Sequence, residues 1–416
     1  MTAGSTRAAP GAPTLPTPPA TGISHLRLLG RDVPWWVAIL GVYVASRVLT
    51  TMLMLSLYVA STIGGWESAD ERSSPGFFGF SSIWDGWYYS RIAQVGYPAD
   101  LPTDGAGNVE QNPWAFLPLY PLLVRALMTV TGLPFPVAAV TLAVLAGAGA
   151  ALVLYRVVAV RAGGLSGLWA TAFFCFGPLS FVLQLAYAES LFFLLMFAAL
   201  LAMITRRYAA IIPFGVAAAF TKPGELAIPL ALGIVFLVRI VRARRGGEVF
   251  RRSERLSMII AGVVTAAAGL AWPFIAQAVT GSPGAYVETE LSWWTGFIGR
   301  VAFVPLTPWF LFTWRYASFA GAMLVIAAIL GYIWLLRRPT VKALGTEIIA
   351  YAASYALYLF AVFLPQQSLF RLLIPLAPLA GARGLTHSPR ARTIVLVVGI
   401  VLQPVALILL WFIGYP

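Results

Sequence analysis

The chain has 416 residues, of which 60% are hydrophobic and 10% charged, and carries a net charge of +13. Soluble domains carry about 25% charged residues, so a water-soluble globular fold is excluded. The basic excess lies in short clusters between apolar runs; this argues against a nucleic-acid-binding surface and matches the positive-inside pattern of a multispanning membrane protein.

Residues 1–33, rich in Pro, Ala, Thr and Gly, predict a disordered cytoplasmic tail. The apolar run from Trp35 is too long for a cleaved signal. A membrane-spanning helix needs ~20 mostly apolar residues. Runs of that kind lie at 34–62, 134–157, 166–186, 187–205, 208–222, 223–241, 256–279, 316–336, 346–364, 370–385 and 393–413, which predicts a bundle of about eleven transmembrane helices. The single cysteine, Cys175, lies inside an apolar run and reads as packing.

The basic clusters are Arg156/Arg161, Arg206/Arg207, Arg239 to Arg255, Arg337/Arg338/Lys342 and Arg383/Arg390/Arg392. Each follows an even-numbered span or precedes an odd one, so all fall on one side, which is predicted to be cytoplasmic. The N-terminus joins them, and the C-terminus is placed outside. The loop 239–255 is then a solvated cytoplasmic segment facing anionic lipid.

The extracytoplasmic side is predicted to hold the long first loop 63–133 and the loop 280–315. The first loop contains Glu67, Asp70, Glu71, Asp85, Asp100, Asp104 and Glu110. Within it, residues 82–95 predict a helix. The stretch "NPWAFLPLYPLLVRALMTV" (112–130) predicts a second, interfacial or re-entrant and broken by Pro118 and Pro121.

On a helical wheel of 82–95, Trp84, Asp85, Tyr88, Tyr89, Ile92 and Val95 share one face, so Asp85 points inward among aromatics. An unpaired buried carboxylate is costly. Two readings follow: "SIWD" fits a capping box with Ser82 at the N-cap, or Asp85 serves a site. The only histidines are His25 and His387, both placed on the cytoplasmic side. A general base acting outside must therefore be a carboxylate, and Asp85 is the best placed.

Other ionisable residues stand at outer boundaries: Glu189 in "LAYAES", Lys222 in "TKPGE" with Glu225 as a possible partner, and Arg371 beside Gln366 and Gln367. Arg371 runs against the positive-inside rule, and its planar donor fork suits phosphate. Arg47, deep in the first run, needs a partner. Glu288 and Glu290 form an acidic pair without His or Cys nearby. A transporter would place charge at midplane on broken helices in repeated halves; the acids here gather in an outer loop, and no repeat is visible.

Taken in series, "WDGWYYSRIAQVGY", "WAFLPLYPLL", "YAESLF" and "QQSLFRLLIPLAPL" resemble the PIG-V type of mannosyltransferase in its bacterial, especially actinobacterial, members, a family of GT-C membrane glycosyltransferases. The resemblance covers residues from about 35 to 385. It implies a GT-C-like bundle, a polyprenyl-phosphate-mannose donor and an extracytoplasmic active site, with a glycolipid or lipoglycan as the expected acceptor. It implies that Asp85 is the catalytic base, with Glu189, Lys222, Arg371, Gln367, Trp84, Tyr88 and Tyr89 around the substrate. No cofactor is implied, no metal ligands are assigned, and a divalent metal is left open. Where relatives often carry T-R-x-x-G, this chain has "TKPGE", which departs from that pattern while keeping the charge at Lys222.

Overall fold

Within a bilayer every backbone N–H and C=O must find a partner inside the protein, and a helix provides one within the segment. The computed structural model describes residues 25–28, 31–66 and 76–414. A small hairpin of β1 (His25–Leu28) and β2 (Arg31–Pro34) precedes α1 (Trp35–Gly64). The hairpin occupies the last part of the segment expected to be a tail, and its Leu26 is buried against the helical core. Residues 1–24 of that segment lie outside the described residues, as do Glu67, Asp70 and Glu71.

The first loop supplies α2 (Phe77–Phe80), α3 (Asp85–Val95) and α4 (Leu119–Thr131). Next come α5 (Phe135–Ala162), α6 (Gly164–Phe176), α7 (Glu189–Ile204), α8 (Tyr208–Ala219), α9 (Ala227–Arg244) and α10 (Arg252–Thr280). The second loop carries α11 (Ala285–Ser292) and α12 (Thr295–Ile298). The remainder is α13 (Pro308–Arg337), α14 (Pro339–Lys342), α15 (Thr346–Val362), α16 (Leu369–Leu372), α17 (Arg383–Thr386) and α18 (Pro389–Leu407). Apart from the hairpin the fold is therefore a helical membrane bundle, as expected; every expected span contains α-helix, but in the tenth only a short turn at each end.

The core is built where small residues let backbones meet. On α5, Ala146, Gly147, Ala150 and Ala151 are buried against neighbouring helices. At Gly167 on α6, a Cβ would stand 2.9 Å from the Tyr155 carbonyl oxygen, so only glycine permits that approach. The α7 helix is apolar all round and almost wholly buried, as a central helix must be. By contrast α13 presents most of its apolar surface outward.

The tenth span differs for a local reason. Pro375 and Pro378 each lack an N–H and clash with a helical neighbour. The chain runs instead through α16, a 3₁₀ stretch over Ile374–Gly381, and α17. It still traverses the bundle: Arg371 at its start touches Glu189 at the head of α7, while Thr386 Oγ1 at its end lies 2.9 Å from Ser166 Oγ near the start of α6.

Arg47 finds its partners at another break. Where α6 stops before Gly177 and Pro178, carbonyls lose their helical donors. Arg47 donates to the carbonyls of Ser180 (2.7 Å) and Cys175 (3.1 Å) and to Gln184 Oε1 (3.3 Å).

The basic clusters gather at one end of the bundle. Arg161 pairs with Glu347 at 2.6 Å, Arg206 with Glu248 at 3.1 Å, and Arg239 with Glu254 at 3.1 Å. The loops carrying α3 and α11 lie at the other end. The positive-inside rule predicts that the basic end is cytoplasmic. In a Cys175→Ala background, a cysteine at exposed Ala106 is expected to label from outside intact cells, and one at exposed Ser253 only after permeabilisation. Labelling of Ser253→Cys from outside would invert the orientation.

Candidate active site

The site begins at a forced turn. The α3 helix starts at Asp85, not at 82, and Trp84 before it holds φ 60 and ψ −119. A residue with a side chain pays about 1–3 kcal/mol there, and such strain persists only where the surroundings fix it. Here the Trp84 Nε1–H donates to the Trp411 carbonyl (3.0 Å), the Asp85 N–H to Tyr187 Oη (3.2 Å), and the Ala186 N–H to the Ser81 carbonyl (3.0 Å). Ser82 does not cap the helix; its hydroxyl donates to the Phe78 carbonyl at 2.8 Å. The capping-box expectation is therefore replaced by a strained turn that presents Asp85 at the first helical position. Val95, placed on the inward face by the wheel, is exposed at the last position of α3.

Four charges from distant parts of the chain meet at this turn. Arg371 Nη1 lies 2.6 Å from Asp85 Oδ2 and 3.0 Å from Glu189 Oε1. Lys222 Nζ lies 3.1 Å from the same Glu189 oxygen. The Arg371 guanidinium sits 5.2 Å from the centroid of the Tyr187 ring. Glu189 is 1% exposed and Arg371 8%. Two acids thus balance two cations, as burial of charge demands. Glu225, expected as the Lys222 partner, instead turns its carboxylate between Gly215 and Gly269; Glu189 takes Lys222 because it starts α7 directly opposite.

The expected aromatics form the rear of the site. Tyr88 stacks on Phe116 with centroids 4.7 Å apart, and Tyr89 packs edge-on against Phe116 and Tyr120. Both are buried. Gln367 stands beside Gly414, beyond the end of α18, and no ion pair or hydrogen bond of the four-charge cluster involves it. Tyr187 and Trp411 were not anticipated. Tyr187 lay inside the quoted "YAES" motif and was readable there, whereas nothing local to Trp411 announces its contact with residue 84.

A third carboxylate lies beside the cluster. Glu290 on α11 is near enough for the charges of Asp85 and Lys222 to act on it, and burial pushes its carboxyl up to about 7. The first loop is fastened to this layer. The Trp272 Nε1–H donates to the Trp114 carbonyl (3.0 Å), Asn112 Nδ2 to Thr289 Oγ1 (3.0 Å), and Arg300 pairs with Asp104 (3.0 Å). Asn108 amide groups hold the Asp104 carboxyl below its usual range.

Fold and site together define a polytopic, helical membrane protein with a buried ion-pair cluster where the bundle meets its loop layer. No family model matches the chain, and no curated protein sequence matches it. Among solved structures it is similar to ArnT from Cupriavidus metallidurans bound to undecaprenyl phosphate, with a TM-score of 0.47 and 14% identity over 87% of this chain and 62% of that chain. It is also similar to the Archaeoglobus fulgidus oligosaccharyltransferase in complex with Zn and sulfate, with a TM-score of 0.46 and 12% identity over 90% of this chain and 53% of that chain. The chain thus spans less than two thirds of the length of either protein.

Proposed function

We propose that this protein is an integral-membrane mannosyltransferase of the GT-C kind. In this reading it moves mannose from a polyprenyl-phosphate-mannose donor to a hydroxyl of a glycolipid or lipoglycan on the extracytoplasmic face. The observation that carries the reading is the Asp85–Arg371–Glu189–Lys222 cluster, in which two cations are held at the loop end of an apolar bundle.

The chemistry follows from the contacts. The donor phosphate takes the place of Asp85 on Arg371 Nη1 and reaches Lys222, while Glu189 keeps both cations in position. Asp85, released from its partner, then accepts the proton of the acceptor hydroxyl. That oxygen attacks the anomeric carbon, the bond from that carbon to the phosphate oxygen breaks, and the lipid phosphate leaves with the electron pair. Arg371 and Lys222 stabilise the charge that develops on it. A single displacement inverts the anomeric centre and needs no covalent glycosyl-enzyme.

The direct test is transfer by protein in nanodiscs, using labelled polyprenyl-phosphate-mannose and a membrane lipid and lipoglycan extract as acceptor. Label is expected in the acceptor fraction with wild type and not with Asp85→Asn. Equal transfer by both would reject the mechanism. Absence of transfer from this donor, with transfer from another polyprenyl-phosphate sugar, would replace mannose while keeping the reaction class.

A further inference from the structure

The four-charge cluster accounts for a phosphate but leaves the sugar of the proposed donor without a recognition surface. The second loop offers one. Glu290 and Trp293 are three residues apart, so they lie on the same side of α11 and its C-terminal end. Trp293 packs against Tyr88 (5.4 Å between centroids) and Phe116 (6.0 Å). Tyr88 is in turn one helical turn beyond Asp85 on α3. These contacts fix the Glu290 side of α11 over the Asp85 turn. Asn112 holds the helix from behind through Thr289.

The chemistry of this face differs from that of the cluster. Glu290 has no Arg or Lys in ion-pair contact among the described residues, and its near neighbour is the Tyr286 hydroxyl. The charged and titratable groups acting on it are Asp85, Lys222, Tyr286 and Tyr358. The Trp293 Nε1–H is buried and makes no hydrogen bond within the protein. A buried donor without a partner is costly unless a ligand supplies one. A carboxyl group, a free indole N–H and aromatic rings together fit vicinal hydroxyls on an apolar sugar face.

The geometry points to Glu290 and Trp293 as the sugar-recognition wall of the site, with Glu290 binding hydroxyls of the transferred hexose and Trp293 Nε1 donating to one of them. The assignment rests on the glycosyl-donor reading above. Burial raises the Glu290 carboxyl from its usual range to about 7, which favours a carboxyl that can meet a hydroxyl as acceptor or donor.

The test compares two lipids that share a phosphate and differ in the sugar: undecaprenyl phosphate and mannosyl-phosphoundecaprenol, titrated against protein in nanodiscs. Wild type is expected to favour the mannosylated lipid. Glu290→Ala is expected to lose affinity for it by about 10-fold or more, the usual effect of a charged hydrogen bond, with affinity for undecaprenyl phosphate unchanged. Trp293→Phe keeps a ring and removes only the donor, so a smaller loss of roughly 2- to 10-fold is expected. If Glu290→Ala does not fold, Trp293→Phe and Glu290→Gln carry the comparison. A mannose preference that survives in all of these variants would overturn the assignment alone. Equal affinity of wild type for the two lipids would overturn the glycosyl-donor reading beneath it.

Discussion

Asp85→Asn is expected to lower turnover by about 10²–10⁴-fold, the usual weight of a general base, at matched amounts of folded protein. The amide is close in shape and still accepts a hydrogen bond from Arg371, so the strained turn at Trp84 is retained. What it loses is the ability to take a proton. The resting contact of 2.6 Å between Asp85 and Arg371 adds a second expectation. Because the donor phosphate must displace this carboxylate, the Asn variant is expected to bind the donor at least as tightly as wild type while failing in the chemical step. Donor titration and single-turnover transfer measure the two separately. Near-normal turnover would show that Asp85 only holds Arg371 in place.

Arg371→Lys is expected to be poor despite the kept charge, and Arg371→Ala worse. Arg371 bridges Asp85 and Glu189 from one nitrogen while its plane lies over Tyr187. Lysine offers a point charge without the planar fork or the stacking face. Removing the cation entirely leaves Asp85 and Glu189 close together with only Lys222 to balance them, which costs both donor affinity and folded stability. The measurement is donor-concentration kinetics for wild type and both variants, with thermal unfolding as the control. Equal kinetics for wild type and Arg371→Lys would make Arg371 an anchor and move the phosphate site to Lys222.

Much of the bundle was legible because lipid imposes a simple pattern. Long apolar runs became helices, and the arginine clusters at 161, 206, 239 and 242 came together at one end. Asp85, Glu189, Lys222 and Arg371 were legible singly because charge at a bilayer boundary is conspicuous. Their pairing was not, since Glu225 is nearer to Lys222 in sequence than Glu189 and only the break before α7 brings Glu189 across. The turn at Trp84 was not legible: "SIWD" satisfies the capping spacing and so left the cap and site readings of Asp85 both open, while the contacts that set the helix start come from Tyr187 and Trp411, far along the chain. Glu290 was seen only as half of an acidic pair; its relation to Asp85 depends on how α11 folds back onto α3, which no local pattern encodes.

The backbone that carries Arg371 behaves as a ruler. A 3₁₀ stretch advances about 2.0 Å per residue against 1.5 Å for an α-helix, so the eight residues Ile374–Gly381 reach about 16 Å where an α-helix would reach about 12 Å. Pro375 and Pro378 keep the stretch from relaxing into the shorter form. Its far end is fixed by Thr386 against Ser166, and Gly381 fits where a Cβ would collide with Val158. The height of the guanidinium is therefore set from the opposite side of the bundle, by the number of residues between two fixed points. One residue more or fewer shifts it by about 2 Å, nearly the whole length of its contact with Asp85.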